Sequence, residues 1–171
     1  NTAVLFGDGA AGAIVTNGNA FKASYITAKY RPELLYYQRA LEDCPFVTYQ
    51  QRGVPMYMNG KEVFKMAVNA SIEGIERILK ETGLTADQVD HYVLHQANMR
   101  IIETIRNQLH QPVEKFSHNI EHLGNTSSAS IPILLDELNK SGKLKSGDTI
   151  ILSGFGAGFT AGTCLFTWTM N

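Results

Sequence analysis

From Asn59 onward the spacing of apolar residues switches repeatedly between two periods, and that switching limits the folds open to the chain. Between Lys61 and Gly83, the residues Val63, Phe64, Ala67, Val68, Ile72, Ile75, Ile78 and Leu79 recur every three or four positions. That is the stripe of an amphipathic helix, with Gly83 as its C-terminal stop. Thr85 to Gln88 reads as a short helical start. His91-Tyr92-Val93-Leu94-His95 has the composition of a strand, and Asn98 to Leu109 returns to helical spacing through Ile101, Ile102, Ile105 and Leu109. Val113 to Phe116 reads as a short strand. Ser130 to Asn139 reads as a third helix, which tolerates Pro132 near its first turn. After the turn Gly147-Asp148 come a strand at Thr149 to Ser153 and an alternating strand at Thr163 to Thr169. Strands separated by helices predict a layered α/β domain.

The N-terminal part is less regular. Val4-Leu5-Phe6 reads as a strand end, Gly7 to Gly12 as a turn, and Ala13 to Thr16 as a second strand running into Asn17-Gly18. The turn spells G-x-G-x-x-G, but that fingerprint holds a pyrophosphate only where a helix follows. A strand follows here, so a tight turn between packed strands is the better account. Phe6-Gly7-Asp8-Gly9-Ala10 has a faint echo in Phe155-Gly156-Ala157-Gly158-Phe159, which suggests a duplicated fold with its first copy largely removed. The chain also opens at Asn1, without methionine, inside an apparent buried strand. The expectation is a fragment, a processed chain or one half of a larger fold. Residues 19–58 carry three X-Pro steps and many tyrosines, with Glu33 to Leu41 as a short helix candidate. This excursion either covers the core or forms a substrate tunnel or dimer contact.

Composition excludes several classes. A formal charge of -1 argues against nucleic acid or membrane as the main partner, and no apolar run approaches a membrane span. Two cysteines, Cys44 and Cys164, are too few for a disulfide framework and point to a reducing cytoplasm. His91/His95 and His118/His122 are each four apart, but zinc pairs at that spacing need a helix face. The first pair lies in strand composition, and nothing completes a ligand set. Cys164, in an alternating strand, reads as core, and Cys44 has no helix N-terminus to activate it.

The chemistry gathers elsewhere. His95 ends a strand just before a helix, Asn125 sits in the small-residue turn Leu123 to Ser130, and Gly154 to Gly158 follows another strand. Such ends converge on one cleft in α/β sheets. A histidine and an asparagine held there can donate two hydrogen bonds to one carbonyl oxygen, which suits a reaction that builds negative charge on it. No obvious nucleophile stands beside them.

These motifs carry a resemblance. Phe6-Gly7-Asp8-Gly9, Gly60 to Lys65, His95-Gln96-Ala97-Asn98-Met99-Arg100-Ile101-Ile102, Gly124 to Pro132, and Gly154 to Phe159 stand in the order found in the C-terminal half of β-ketoacyl-acyl-carrier-protein synthase III. The chain therefore resembles that family of condensing enzymes. The resemblance implies a layered α/β/α half of a thiolase-like fold with a mixed sheet, completed by a missing N-terminal half into an αβαβα sandwich. Residues 1–18 would be the last strands of that N-terminal half and residues 19–171 the C-terminal half. It implies a Cys-His-Asn triad with His95 and Asn125 as two members and the cysteine in the absent half. Ala157 would lend its backbone N–H to an oxyanion hole. Asn98, Phe155, Gly156 and Gly60 would border the pocket, and Lys65 and Arg100 would dock an acidic acyl carrier protein. The implied reaction is decarboxylative condensation of an acyl-coenzyme A, acetyl-coenzyme A first among them, with malonyl-carrier protein to start fatty acid synthesis. Coenzyme A thioester enters as substrate; no cofactor or metal is implied, and the expected assembly is a homodimer.

Other readings compete. Related thiolase-superfamily synthases make polyketide or quinolone starters or hydroxymethylglutaryl-coenzyme A. An isolated half-fold is also compatible with a non-catalytic interaction module, and a hydrolase built on Cys44 is a third reading.

Overall fold

The structure, a computed structural model, describes residues 2–36 and 56–170. The aromatics Tyr37, Phe46 and Tyr49, the nucleophile candidate Cys44 and most of the Glu33 to Leu41 helix candidate lie outside the described residues.

The largest element is helix α1, Gly60–Thr82. Asn59 begins it, its Oδ1 accepting the Glu62 N–H at 3.3 Å, and Gly83 ends it at φ 72°, donating its N–H to the Leu79 carbonyl. A positive φ costs glycine nothing, which is why the sequence signal for this end was clear. The apolar stripe lies on the sheet, with Ala67, Ile75 and Ile78 fully buried.

That sheet has four strands: β1 (Phe21–Ala28), β4 (His91–Leu94), β5 (Thr149–Gly156) and β6 (Thr160–Thr167), in the order β1-β6-β5-β4. β4 and β5 run parallel and the other pairs antiparallel, so the sheet is mixed. A separate two-stranded ribbon pairs β2 (Leu35–Tyr36) with β3 (Tyr57–Met58). Helix α1 and helix α2 (Met99–Gln108) share a core with one sheet face, built on Ile75, Ile102, Ile105, Tyr92 and Ile151. Helix α4 (Ser130–Lys140) packs in a second core with Val93, Leu144 and Ile150. Consecutive residues of β4 and β5 thus face opposite cores, which explains why both read as unbroken apolar runs. One further helix, α3, spans Ile120–Leu123.

Three expectations change. Val113–Lys115 is a 3₁₀ turn, and Phe116 behind it stacks on Tyr92 with ring centroids 4.6 Å apart. The aromatic is an anchor for the turn rather than part of a ladder. Phe21–Ala28, within the stretch expected to be irregular, is a full strand paired along β6. In the opposite direction, Val4 to Phe6 and Ala13 to Thr16 are not strands. Thr2–Leu5 is a 3₁₀ turn, Phe6 makes a single parallel bridge to Asn125, and Ile14 and Val15 are 94% and 93% exposed. A strand exists only where a neighbour completes its hydrogen bonds, and composition cannot supply one. The approach of this segment needs glycine: a Cβ on Gly7 would stand 1.8 Å from the Leu123 carbonyl oxygen.

No helix among the described residues is long and apolar enough to cross a membrane.

Candidate active site

The C-terminal end of β4 delivers His95. Its backbone N–H donates to the Ser153 carbonyl at 2.9 Å, which continues the parallel pairing one residue past the strand. Gln96, next in line, is fully buried. Its Nε2 donates to the Leu94 carbonyl at 2.8 Å and its Oε1 accepts the Asn119 N–H at 3.2 Å. These bonds tie the residue after His95 both to the strand end and to the start of α3. Asn98 then starts α2, with its Oδ1 accepting the Arg100 N–H at 2.9 Å.

Asn125 follows the end of α3. Its backbone is stitched to the N-terminal segment: Asn125 N–H donates to the Leu5 carbonyl at 3.0 Å, and Gly7 N–H donates to the Asn125 carbonyl at 3.1 Å. Its side chain accepts the Ser127 N–H at 2.9 Å. A backbone N–H can only donate, so the atom it meets must be Oδ1, and the amide NH₂ is left for other partners.

His95 is mostly buried, and burial lowers its pKa to about 4, so the imidazole is neutral at pH 7. Nδ1 lies 2.7 Å from the Ser130 hydroxyl. Nε2 has no recorded hydrogen-bond partner among the described residues. The ring meets Phe155 edge-on at 5.3 Å, and Phe155 stacks on Phe159 at 5.7 Å. Phe155 thereby restricts the imidazole plane.

A cavity of about 320 Å³ collects these groups. His95, Asn98, Asn125 and the Phe155-Gly156-Ala157 turn border it, and Gly60 lies at its α1 side. Most of the rest of its wall is apolar, from Leu35 and Met58 of the ribbon, Phe64 of α1 and Ile101 of α2, with Tyr36 and Ser127 adding hydroxyls. The sequence placed the polar members and Gly60 together. It left residues 19–58, which include the ribbon, between covering the core and forming a substrate tunnel or dimer contact, and it gave Phe6 no place at the site, since an isolated bridge has no period to detect. The Ser130 contact was equally invisible, because 35 positions separate Ser130 from His95. A larger hollow of about 840 Å³ lies along the outside of α1 past Glu73, Arg77 and Lys80, but none of the site residues reaches it.

Lys65 and Arg100 do not border the cavity. Both are exposed beside it: Lys65 pairs with Glu62 at 3.0 Å, and the Arg100 guanidinium lies 5.8 Å from the centre of the Phe64 ring. Cys164 sits half-buried in β6, and burial raises its thiol pKa, which disfavours the thiolate. No group of three metal-ligating side chains occurs among the described residues.

Fold and site together define a class, a thiolase-like α/β unit in which strand and helix ends carry a histidine and an asparagine into one cavity. The chain belongs to the 3-oxoacyl-[acyl-carrier-protein] synthase III family, whose C-terminal model matches residues 79–168. It is 44% identical over 174 residues to a β-ketoacyl-[acyl-carrier-protein] synthase III of Lactobacillus helveticus, an alignment covering 98% of this chain and 53% of that protein. A second such synthase, from Trichormus variabilis, is 43% identical over 180 residues, with the same two coverages. Among solved structures, the 3-oxoacyl-(acyl carrier protein) synthase III of Pseudomonas aeruginosa PAO1 superposes with a TM-score of 0.83 at 34% identity, over 99% of this chain and 52% of that one. The Thermus thermophilus enzyme gives 0.82 at 36%, over 98% and 53%. The chain spans about half the length of the curated relatives it matches.

Proposed function

We propose that this chain supplies the histidine–asparagine half of a Cys-His-Asn condensing site. The observation that carries the reading is the convergence on one largely apolar cavity of a neutral His95 and an Asn125 whose amide NH₂ has no hydrogen-bond partner among the described residues. In the proposed reaction a malonyl thioester on acyl carrier protein loses carbon dioxide. The electron pair of the broken C–C bond moves onto the thioester, and the charge on its oxygen is met by hydrogen bonds from His95 and Asn125. The enolate carbon then attacks an acyl group held as a thioester on a cysteine of the completing segment. The oxygen of the resulting tetrahedral adduct is met by the Ala157 N–H, and collapse expels the cysteine thiolate. Acetyl-coenzyme A is the proposed donor of that acyl group. Neutrality of His95 matters, because a cationic ring would hold the malonyl carboxylate in place and oppose its loss.

The exposed Ile14 and Val15 support an incomplete unit, with residues 1–18 belonging to the other half and residues 19–171 forming this one. Lys65 and Arg100 flank the cavity and are proposed to dock the carrier protein. A homodimer and a cytoplasmic location complete the reading. The test measures malonyl-carrier-protein decarboxylation with the chain joined to its completing segment. Each of His95→Ala and Asn125→Ala should lower kcat by about 10²-fold or more, as loss of one oxyanion donor does elsewhere. Unchanged decarboxylation in both variants refutes the reading.

A further inference from the structure

The tautomer of His95 is open to argument from its surroundings. A neutral imidazole carries one proton, on Nδ1 or on Nε2, and only the second places a donor away from Ser130. Ser130 is the first residue of α4 and is 1% exposed. Its Oγ has two recorded partners among the described residues: the Gln96 backbone N–H at 3.3 Å and His95 Nδ1 at 2.7 Å. The Gln96 N–H must donate, so it occupies one lone pair of Oγ. If Nδ1 also donated, the hydroxyl proton would need a third partner, and none is recorded. A buried O–H without an acceptor carries the full cost of its desolvation. If instead the hydroxyl donates to Nδ1, every group in the cluster is satisfied.

We propose that Ser130 is a positioning residue: its hydroxyl donates to His95 Nδ1 and holds the imidazole in the tautomer that carries its proton on Nε2. The cluster is built from separate parts of the chain, the β4 end and the start of α4, so it also fixes where the ring sits relative to the Asn125 turn. Burial keeps the ring neutral and leaves it a single proton to place; the Ser130 contact decides which nitrogen carries it. The consequence for turnover rests on the proposed reading of His95 as an enolate donor; the tautomer itself does not.

The test is ¹⁵N NMR of histidine-labelled protein, with the chain joined to its completing segment, alongside decarboxylation kinetics. In the parent, His95 Nε2 should resonate as a protonated nitrogen and Nδ1 as an unprotonated one accepting a hydrogen bond. Ser130→Ala should move the Nδ1 resonance toward that of a free acceptor or populate the other tautomer. Ser130→Thr, which keeps the hydroxyl, should retain the parent pattern. Decarboxylation by Ser130→Ala should fall by about 10-fold in kcat with KM little changed, the scale of one hydrogen bond lost in positioning. A proton on Nδ1 in the parent overturns the proposal even if the alanine variant fails to fold. So does an unchanged Nδ1 resonance in Ser130→Ala. If the resonance moves and decarboxylation does not, Ser130's role stands and the reading of His95 as donor falls.

Discussion

Gly74→Ala sets two known effects against each other. Gly74 lies inside α1, where alanine normally stabilises by about 0.5–1 kcal/mol. Here the added Cβ would stand 2.4 Å from Thr163 Oγ1 and 3.1 Å from Thr163 Cβ. Thr163 is buried in β6, and its hydroxyl is held 3.0 Å from Ser153 Oγ. The clash has two outlets. Thr163 rotates and breaks a buried hydrogen bond, at about 1–3 kcal/mol. Alternatively α1 lifts from the sheet and loosens Ile75 and Ile78, a repacking strain of about 1–3 kcal/mol. Set against the helix gain, either outlet leaves a net destabilisation of about 0–2.5 kcal/mol, centred on about 1 kcal/mol. For a protein of this size each kcal/mol lowers Tm by about 2–4 °C. The assay is thermal and urea denaturation of parent, Gly74→Ala, Thr163→Ala and the double variant. Thr163→Ala removes the atom at 2.4 Å but leaves the one at 3.1 Å, so the double variant should be more stable than the sum of the singles predicts. A raised Tm for Gly74→Ala, or strict additivity, refutes the close helix–sheet contact. The same helix places Gly60 and Phe64, at its start, on the cavity wall.

Two further outcomes follow from the charges. The folded pKa of His95, about 4, lies below its ordinary value near 6.5, so the unfolded chain takes up a proton first as pH falls. Stability is therefore full above about pH 6.5 and declines toward pH 4, by at most about 3 kcal/mol, and His95→Gln should flatten that slope in urea titrations at pH 7 and pH 5. Persistence of the slope assigns it to other groups. Charge reversal by Lys65→Glu with Arg100→Glu should raise KM for acyl carrier protein several-fold, with the gap narrowing at high salt, while kcat and KM for a small malonyl thioester hold. An equal loss on the small thioester removes these residues from docking.

The legible parts of the fold were those whose signal is local. Asn59 and Gly83 bracket α1 because a cap and a positive φ each demand particular residues. His91 to Leu94 and Thr149 to Ser153 were readable because burial on both faces leaves Tyr92 to Leu94 and Ile150 to Leu152 as unbroken apolar runs. Phe21–Ala28 was not, since an edge strand that leaves Ile26 exposed and Ala23 buried has no clean alternation. Val4 to Phe6 and Ala13 to Thr16 failed for the opposite reason: the pattern of a strand was present, and no partner strand was among the described residues.

The site divides along the same line. By itself the amino-acid order marked which side chains are candidates for the proposed chemistry, because His95, Asn125 and the 154–158 glycine turn occupy element ends that local patterns mark. Only the tertiary structure decided how they point. Ser127 orients the Asn125 amide, Phe155 limits the His95 ring, and Ser130 meets its Nδ1. The Phe155 and Ser130 contacts on His95 join residues far apart in the chain, where hydrogen-bond geometry and burial act, and neither leaves a period or spacing in the sequence.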